Sequence, residues 1–556
     1  MIGLDEKAKM EFADIKVDSI IADMEKLLDP AVECQSANVI LQQSFTGAVN
    51  YIFRTLPPQC CINAAERMEQ RMLQIYCEKN VLNIQQIVNS PGLVDKIFSK
   101  TGENGMGIPS PLRIPMVAYL AGVAQAGSSM VRYTPNPTCV PIHSRLSTSA
   151  DSHSSSSSSS SSSSLPAAFE YQAPRKDTDA PLLLSHNIFE KVLSNSFISQ
   201  SSSTSSSSSS SSSTITHMSI GDNVEFCLRQ LDRHGVDSAA LNQHSDKIIM
   251  PFEIQAFGEF FSDAALGETR AFKLQSLLFK KVEAVRGARR LAEWDKDEIS
   301  VEQRIRQKCC SNHGAQAWAN ALPVGLLKLT NMEMHVAISS SLGIPPYFYS
   351  KGYAPIRCKH ASVSTSCNNV DLRTDLNHAL SCPFERKRGT NTRHNKVQSL
   401  LEEFANLCNA RVTHPQDLSK GLEHSSERLD FVVEFFKDAV GVDVTCVNPT
   451  AKSYHAVNKN DHTTASKNAY LDKMKKYAPL SAANDLPILP FVAETYGGIY
   501  HKSRQLLSKM ADQMPSGLYA GNRLASKHYY TTAITVSIMR ENARIITRAH
   551  QHAAIT

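Results

Sequence analysis

The chain has 556 residues, 42% hydrophobic and 20% charged, with a formal net charge of +5. That length holds several domains of globular composition, and no apolar run approaches the roughly 18 residues of a membrane span, so no membrane partner is expected. The 13 cysteines, odd in number and scattered, argue for reduced thiols, and the opening MIGLDEKAKMEF lacks the basic and apolar regions of a secretory signal; a nuclear or cytoplasmic protein, not a secreted one, is expected.

Residues 1–134 read as a helical region. Val17, Ile20, Ile21, Met24, Leu27 and Leu28 recur at helical spacing. A second apolar run, Val39 to Phe53, is stopped by Pro57 and Pro58. A third, Ala64 to Val81, carries Met68, Met72 and Ile75 on one side. Such periodicity reports a buried face. Gly102 to Ser110 is turn-rich, and no Gly-Lys-Ser/Thr follows it, which makes it a loop rather than a phosphate cradle. Met116 to Ala126 reads as one more short buried helix.

Two serine tracts, Ser154 to Ser164 and Ser205 to Ser213, bury no apolar surface to offset chain entropy. The stretch 135–217 is therefore expected to be a disordered linker or insertion. Helices are expected again over 218–350, at Val224 to Leu231, Ile254 to Phe261, Phe272 to Leu291, Gln316 to Leu327 with a kink at Pro323, and Met332 to Leu342. The helix at 272–291 has a basic side, with Lys280, Lys281, Arg286, Arg289 and Arg290. Its simplest reading is a solvated face; phosphate contact is the sharper alternative.

Residues 351–384 hold Cys358, His360, Cys367, His378 and Cys382. Zinc takes four N or S ligands in a tetrahedron, usually as two close pairs. His378 and Cys382 are one helical turn apart and make a good second pair. The first pair is either Cys358 with Cys367, which is widely spaced, or Cys358 with His360 as the alternative ligand. The competing reading is a degenerate knuckle, or thiols packed as small hydrophobes.

From 385 to 500 the pattern becomes mixed. Arg393-His394-Asn395 leads into Val397, Leu400, Leu401, Phe404 and Leu407, the spacing of an amphipathic helix. Phe431 to Phe436 and Val440 to Val447 read as two strands of a hairpin interrupted by Lys437-Asp438. Asp430 sits at the mouth of the first strand, and Asp443 and Thr445 share one face of the second. Two neighbouring carboxylates repel unless a cation joins them, and Mg²⁺ takes such oxygen ligands. A metal there would polarise a phosphate and activate water. Lys467 and Lys473, on a helix from Thr463 to Tyr477, are candidate stabilisers of developing charge. Leu489 to Val492 reads as a third strand, followed by a turn at Glu494 to Gly498. Residues 501–556 are expected to be C-terminal helices, the last with an Arg540, Arg544 and Arg548 face read as solvated. The fold class is thus mixed, α+β, with helices through the first two-thirds and a small α/β domain near the C-terminus.

His378-Ala-Leu-Ser-Cys382, Arg393-His394-Asn395, Arg428-Leu429-Asp430, Val442-Asp443-Val444-Thr445, Asn448-Pro449 and Lys473-x-x-Lys476-Tyr477, in this order, resemble the C-terminal part of reverse-transcriptase polyproteins. The group is that of retroelements carrying a restriction-like endonuclease of degenerate PD-(D/E)xK type. Pro490 to Gly498 looks like the segment after that family's nuclease strands, and Asn50 to Pro58 with Gly105 to Ala121 looks like the region after the polymerase palm. The resemblance implies that Asp430 and Asp443 bind Mg²⁺ or Mn²⁺. Lys473 would take the role of the displaced catalytic lysine, since Thr445 stands where the standard motif has it. The zinc-knuckle-like cysteines and Arg393, His394 and Asn395 would engage DNA, and element RNA, beside the nuclease. The implied activity is nicking of target DNA.

This chain departs from the pattern in three places. Leu429 stands where a proline is usual, the first zinc pair is stretched, and no Asp-Asp pair occurs anywhere, so no polymerase activity is expected. The chain looks like the tail of such a polyprotein, whether fragment, domesticated derivative or decaying frame. The alternative to a nuclease is a non-catalytic nucleic-acid-binding protein or an inactive remnant.

Overall fold

The structure is a computed structural model that describes residues 5–122 (91 and 120 aside), 264–350 (297 and 298 aside), 356–358, 367, 370–373, 375, 377–414, 428–458, 461–514 and 523–554. The expectations for the serine-rich 135–217, for the helices at 224–231 and 254–261, and for His360 lie outside the described residues. Helices dominate, and a few short strands sit in the C-terminal part, so the molecule is mixed α+β with a helical majority. Among the described residues no helix is long and apolar enough to cross a membrane.

The chain divides into two compact units. The first takes Met1–Ile21, Thr46–Gln70 and Ser110–Arg286. Within it Ala13 and Val17, Val49 and Phe53, and Ala64, Ala65 and Met68 are fully buried, one apolar stripe from each of three helices. Arg67 fastens the stripe's polar edge, pairing with Asp14 at 3.0 Å and Asp18 at 3.1 Å. Arg113 and Glu283 form a buried pair at 2.9 Å. The run expected as a helix from Val39 to Phe53 is two helices, Cys34–Gln43 and Phe45–Thr55. The second ends ahead of Pro57, and Pro58 opens the next helix at a position whose N–H would be unpaired anyway.

The second unit takes Ala22–Phe45, Arg71–Pro109 and Gly287–Thr556. The elements of it that frame the sites below are α1 (Val301–Cys310), α2 (Asn331–Leu342), α3 (His378–Ser381), α4 (Pro383–Leu407), β1 (Arg411–Thr413), β2 (Phe431–Glu434), β3 (Ala439–Val442), β4 (Val444–Val447), α5 (Thr464–Asn484), β5 (Phe491–Glu494), α6 (Arg504–Asp512) and α7 (Arg523–Ala554). Helix α2 starts with a full capping box: Thr330 Oγ1 accepts from the Glu333 N–H, and Glu333 accepts from the Thr330 N–H. Helix α7, 32 residues long, is the axis of the unit and packs on α4, α2 and α6. Its buried residues run almost without a break from Tyr530 to Ala543, as expected of a helix enclosed on most sides.

Strands β1, β2 and β3 form an antiparallel sheet, with Phe431 opposite Val442 and Glu434 opposite Ala439. Strand β4 pairs in parallel with β5, Val444 beside Phe491 and Val447 beside Glu494. The expected hairpin is therefore half right. Its second arm, Val440 to Val447, breaks at Asp443: the part before it stays on β2, and the part after it leaves for β5. The last strand begins at Phe491 rather than Leu489, although Leu489 N–H already donates to Gly441 O.

Three other expectations are corrected. Gln316 to Leu327 is not a kinked helix but two short 3₁₀ turns, Ala317–Asn320 and Gly325–Leu327. Pro323 has no N–H to give, and the Gln35 side chain takes over by donating to the carbonyls of Ala321 and Leu327. Arg290, expected on a solvated face, is 3% exposed and binds Asp95 at 2.8 Å. The arginine face of α7 is solvated only in part: Arg544 is exposed and reaches Glu333 at 3.1 Å, whereas Arg540 is half-buried and donates to the carbonyls of Leu326 and Lys328.

Candidate functional site

Asp430, Asp443 and Lys473 converge. The break between β3 and β4 is what aims Asp443 inward, where it is 4% exposed. Its Oδ2 lies 2.7 Å from Lys473 Nζ, and its Oδ1 accepts from the Tyr477 hydroxyl at 2.5 Å. Lys473 and Tyr477 are one turn apart on α5, so one helix face delivers both. The Tyr477 oxygen also lies 2.9 Å from Arg428 O, and Lys473 Nζ stands 5.9 Å from the centroid of its ring.

Asp430 enters from the start of β2. Its Oδ2 accepts from the Val444 N–H at 2.6 Å, which ties it to the residue next to Asp443. Its Oδ1 meets His394 Nε2 at 3.2 Å. The Asp430 carboxylate raises the proton affinity of His394, first through that hydrogen bond; burial opposes it, the charges of Asp430 and Asp443 assist, and Lys473 opposes. His394 therefore faces the whole cluster. A hairpin mouth, a strand break, α4 and α5 thus supply two carboxylates, an ammonium, an imidazole and a phenol around one spot.

The other sequence candidates separate. Lys467 points to solvent and takes no part. Arg393 is buried, because it lies on the same α4 face as Val397, Leu400 and Phe404. It donates to Asn542 Oδ1 at 2.6 Å, and Asn542 donates in turn to Thr495 O, so Arg393 is an internal tie between α4 and α7. Asn395 is exposed. Of the three residues expected to contact nucleic acid, His394 is the one beside the carboxylates. The roles of Tyr477 and the Val444 N–H were not assigned from sequence; the spacing of Lys473 and Tyr477 was the available signal for the first, and nothing in a sequence marks the second.

The zinc-type residues come together as well. Cys358, Cys367, His378 and Cys382 are all buried, and their ligand atoms lie within 4.8 Å of one another. The widely spaced first pair is explained by backbone pairing: Cys358 N–H donates to Val370 O and Leu372 N–H to Ile356 O, folding the chain back on itself. Helix α3 sets His378 one turn from Cys382, as expected. Cys367 Sγ is 3.7 Å and Cys358 Sγ 4.0 Å from Cys382 Sγ. Sulfurs at about 2.3 Å from a tetrahedral zinc lie about 3.8 Å apart, so this spacing suits a metal. The second sign is His378 Nε2, a buried atom with no hydrogen-bond partner. This Cys₃His group can hold a metal such as zinc.

Further along β5, Glu494 lies at 2% exposure. It accepts from Asn312 Nδ2 at 3.0 Å, from Ser466 and from the Cys309 thiol. Burial dominates over these bonds and pushes its carboxyl up to about 7. No protein-family model matches the chain. No curated protein matches it either.

Proposed function

We propose that the chain derives from the C-terminal part of a retroelement polyprotein, and that its 385–500 region is a metal-dependent DNA endonuclease that nicks target DNA and has no polymerase activity. The observation that carries this is the meeting of Asp430, Asp443, Lys473, His394 and Tyr477 at one strand break. Asp430 and Asp443 would hold Mg²⁺ or Mn²⁺. Their oxygens fit a hard cation: each carboxylate offers about four lone-pair sites, of which the donors named above use two on Asp430 and two close ones on Asp443. Bound there, the cation would polarise the scissile phosphate and lower the pKa of an attacking water.

The chain's own groups do the rest. Tyr477 and the Val444 N–H fix the two carboxylate rotamers. Lys473, already held beside Asp443, places an ammonium where negative charge develops on the phosphate. Zinc would occupy Cys358, Cys367, His378 and Cys382. DNA, with element RNA, is the proposed partner, in the nucleus or cytoplasm.

A second reading is a nucleic-acid-binding protein without catalysis. The Lys473–Asp443 pair favours it, because an ammonium at 2.7 Å satisfies the carboxylate and competes with a cation. Supercoiled plasmid incubated with the full chain and Mg²⁺ or Mn²⁺ separates the two. The nuclease reading expects nicking that Asp443→Ala lowers about 10²-fold or more. Equal nicking by Asp443→Ala would make the site assignment wrong. Salt-sensitive DNA binding without cleavage at any metal concentration would support the second reading.

A further inference from the structure

On the second unit a cleft of about 510 Å³ opens between α6, the start of α7 and the loop at His313. Arg504 and Lys509 from α6, Lys527 from α7, and the imidazoles of His313 and His501 line it; Asp512 is the acid on its wall. Two of these cations are partly engaged. Lys509 pairs with Asp438 at 2.5 Å, and Lys527 donates to Ser508 at 2.5 Å. Arg504 is different: its Nε is buried and has no hydrogen-bond partner. Burial first, and then the charges of Arg504, Lys527 and His528, depress the proton affinity of His313, while a backbone hydrogen bond opposes them.

An arginine with no carboxylate partner among the described residues, in a concave polar site beside two lysines, suits a planar or tetrahedral oxyanion. We propose that this cleft seats a backbone phosphate of nucleic acid, as a second contact apart from the Asp430–Asp443 cluster. The naming of nucleic acid rests on the function proposed above; the phosphate chemistry does not. Its placement suits that partner. Asp438, which Lys509 grips, lies in the β2–β3 turn, at the far end of the strands from the Phe431–Val442 pair that Asp430 and Asp443 flank. Four residues of strand span about 13 Å, well inside the roughly 34 Å of one duplex turn.

The test is equilibrium binding of duplex DNA to the full chain with no chelator and no added Mg²⁺ or Mn²⁺, read by fluorescence anisotropy across a salt series, so that neither cleavage nor loss of a metal from the Cys₃His group plays a part. Arg504→Ala and Lys527→Met should each weaken binding about tenfold and lower the slope of log K against log salt by about 1. Asp512→Asn should move both quantities the other way, a gain that misfolding does not produce. Asp443→Ala should leave the slope contribution of Arg504 intact, which separates this site from the nuclease. DNA binding with a slope unchanged in all three cleft variants overturns the proposal while leaving the nuclease reading standing. A parallel arm titrates inorganic phosphate against the His313 imidazole resonance. Phosphate binding there that neither competes with DNA nor responds to it would assign the cleft to a free phosphate and overturn the nucleic-acid assignment.

Discussion

Glu494 is held almost wholly out of water, and among the described residues its partners are the neutral donors Asn312, Ser466 and Cys309. Its folded pKa of about 7 exceeds the ordinary 4.5, so between those values the folded state keeps a proton that the unfolded state has lost. Stability from this group is therefore greatest below pH 4.5, falls as pH rises, and stays low above 7. The difference is roughly 3 kcal/mol. Glu494→Gln imitates the protonated acid. Urea midpoints at pH 5 and pH 8 should diverge in the wild type and converge in this variant, and an unchanged divergence would refute the assignment. At this scale motif order picked out Asp430, Asp443 and Lys473, whose side chains meet at the strand break. It was silent on Glu494, whose environment is made by α1, α5 and the following loop, all distant in the chain. Arg393 was misleading for a related reason: its charge suggests a surface, but its register on α4 points it at Asn542.

Elements were legible where period or proline decided them, and less so where partners did. Pro57 and Pro58 stop a helix locally, and the reading was sound there. The break at Asp443 depends on β5, which lies far along the chain and draws β4 away from β2. The turns at 317–327 depend on Gln35, further away still. Gly497 is a local exception: its φ of +87° and an Ala315 carbonyl 2.7 Å from where a Cβ would sit both require glycine. The α4–α7 crossing offers a sharper test. A Cβ at Gly389 would sit 2.3 Å from Ile545 Cγ1, so glycine is what lets the two helices touch. Alanine ordinarily favours a helix by up to about 1 kcal/mol over glycine. Here overpacking of about 1–3 kcal/mol should win, so Gly389→Ala should lower the thermal midpoint. In an Ile545→Ala background, which lacks Cγ1, Gly389→Ala should cost less than it does alone; if the single variant is more stable than wild type, the close crossing is not as described.

For the second unit as a whole, the decisive question is whether the Cys₃His group is a mounted accessory or part of the core. The sequence suggested a separate knuckle at 351–384. In the fold Cys358, Cys367 and Cys382 pack in one apolar cluster with Leu372, Ala379 and Leu380 and with Ala543, Ile545, Ile546 and Ala549 of α7. Helical spacing of apolar residues could foretell a helical majority, but not that a ligand cluster would be sealed by α7, because that contact is long-range. It has a thermodynamic consequence. A metal that binds only the folded state stabilises it by about 4 kcal/mol when free metal exceeds Kd a thousandfold. For a unit of more than 300 residues, each kcal/mol moves the midpoint by about 1–2 °C. Zinc removal by a chelator should therefore lower the melting midpoint of the full chain by roughly 4–8 °C, and added zinc should restore it. Cys382→Ser should show the lower midpoint at once and no longer respond to the chelator. Near-equal midpoints with and without chelator, in protein shown by elemental analysis to carry zinc, would mean that the four residues are packed thiols and a buried imidazole rather than a metal centre that the core depends on.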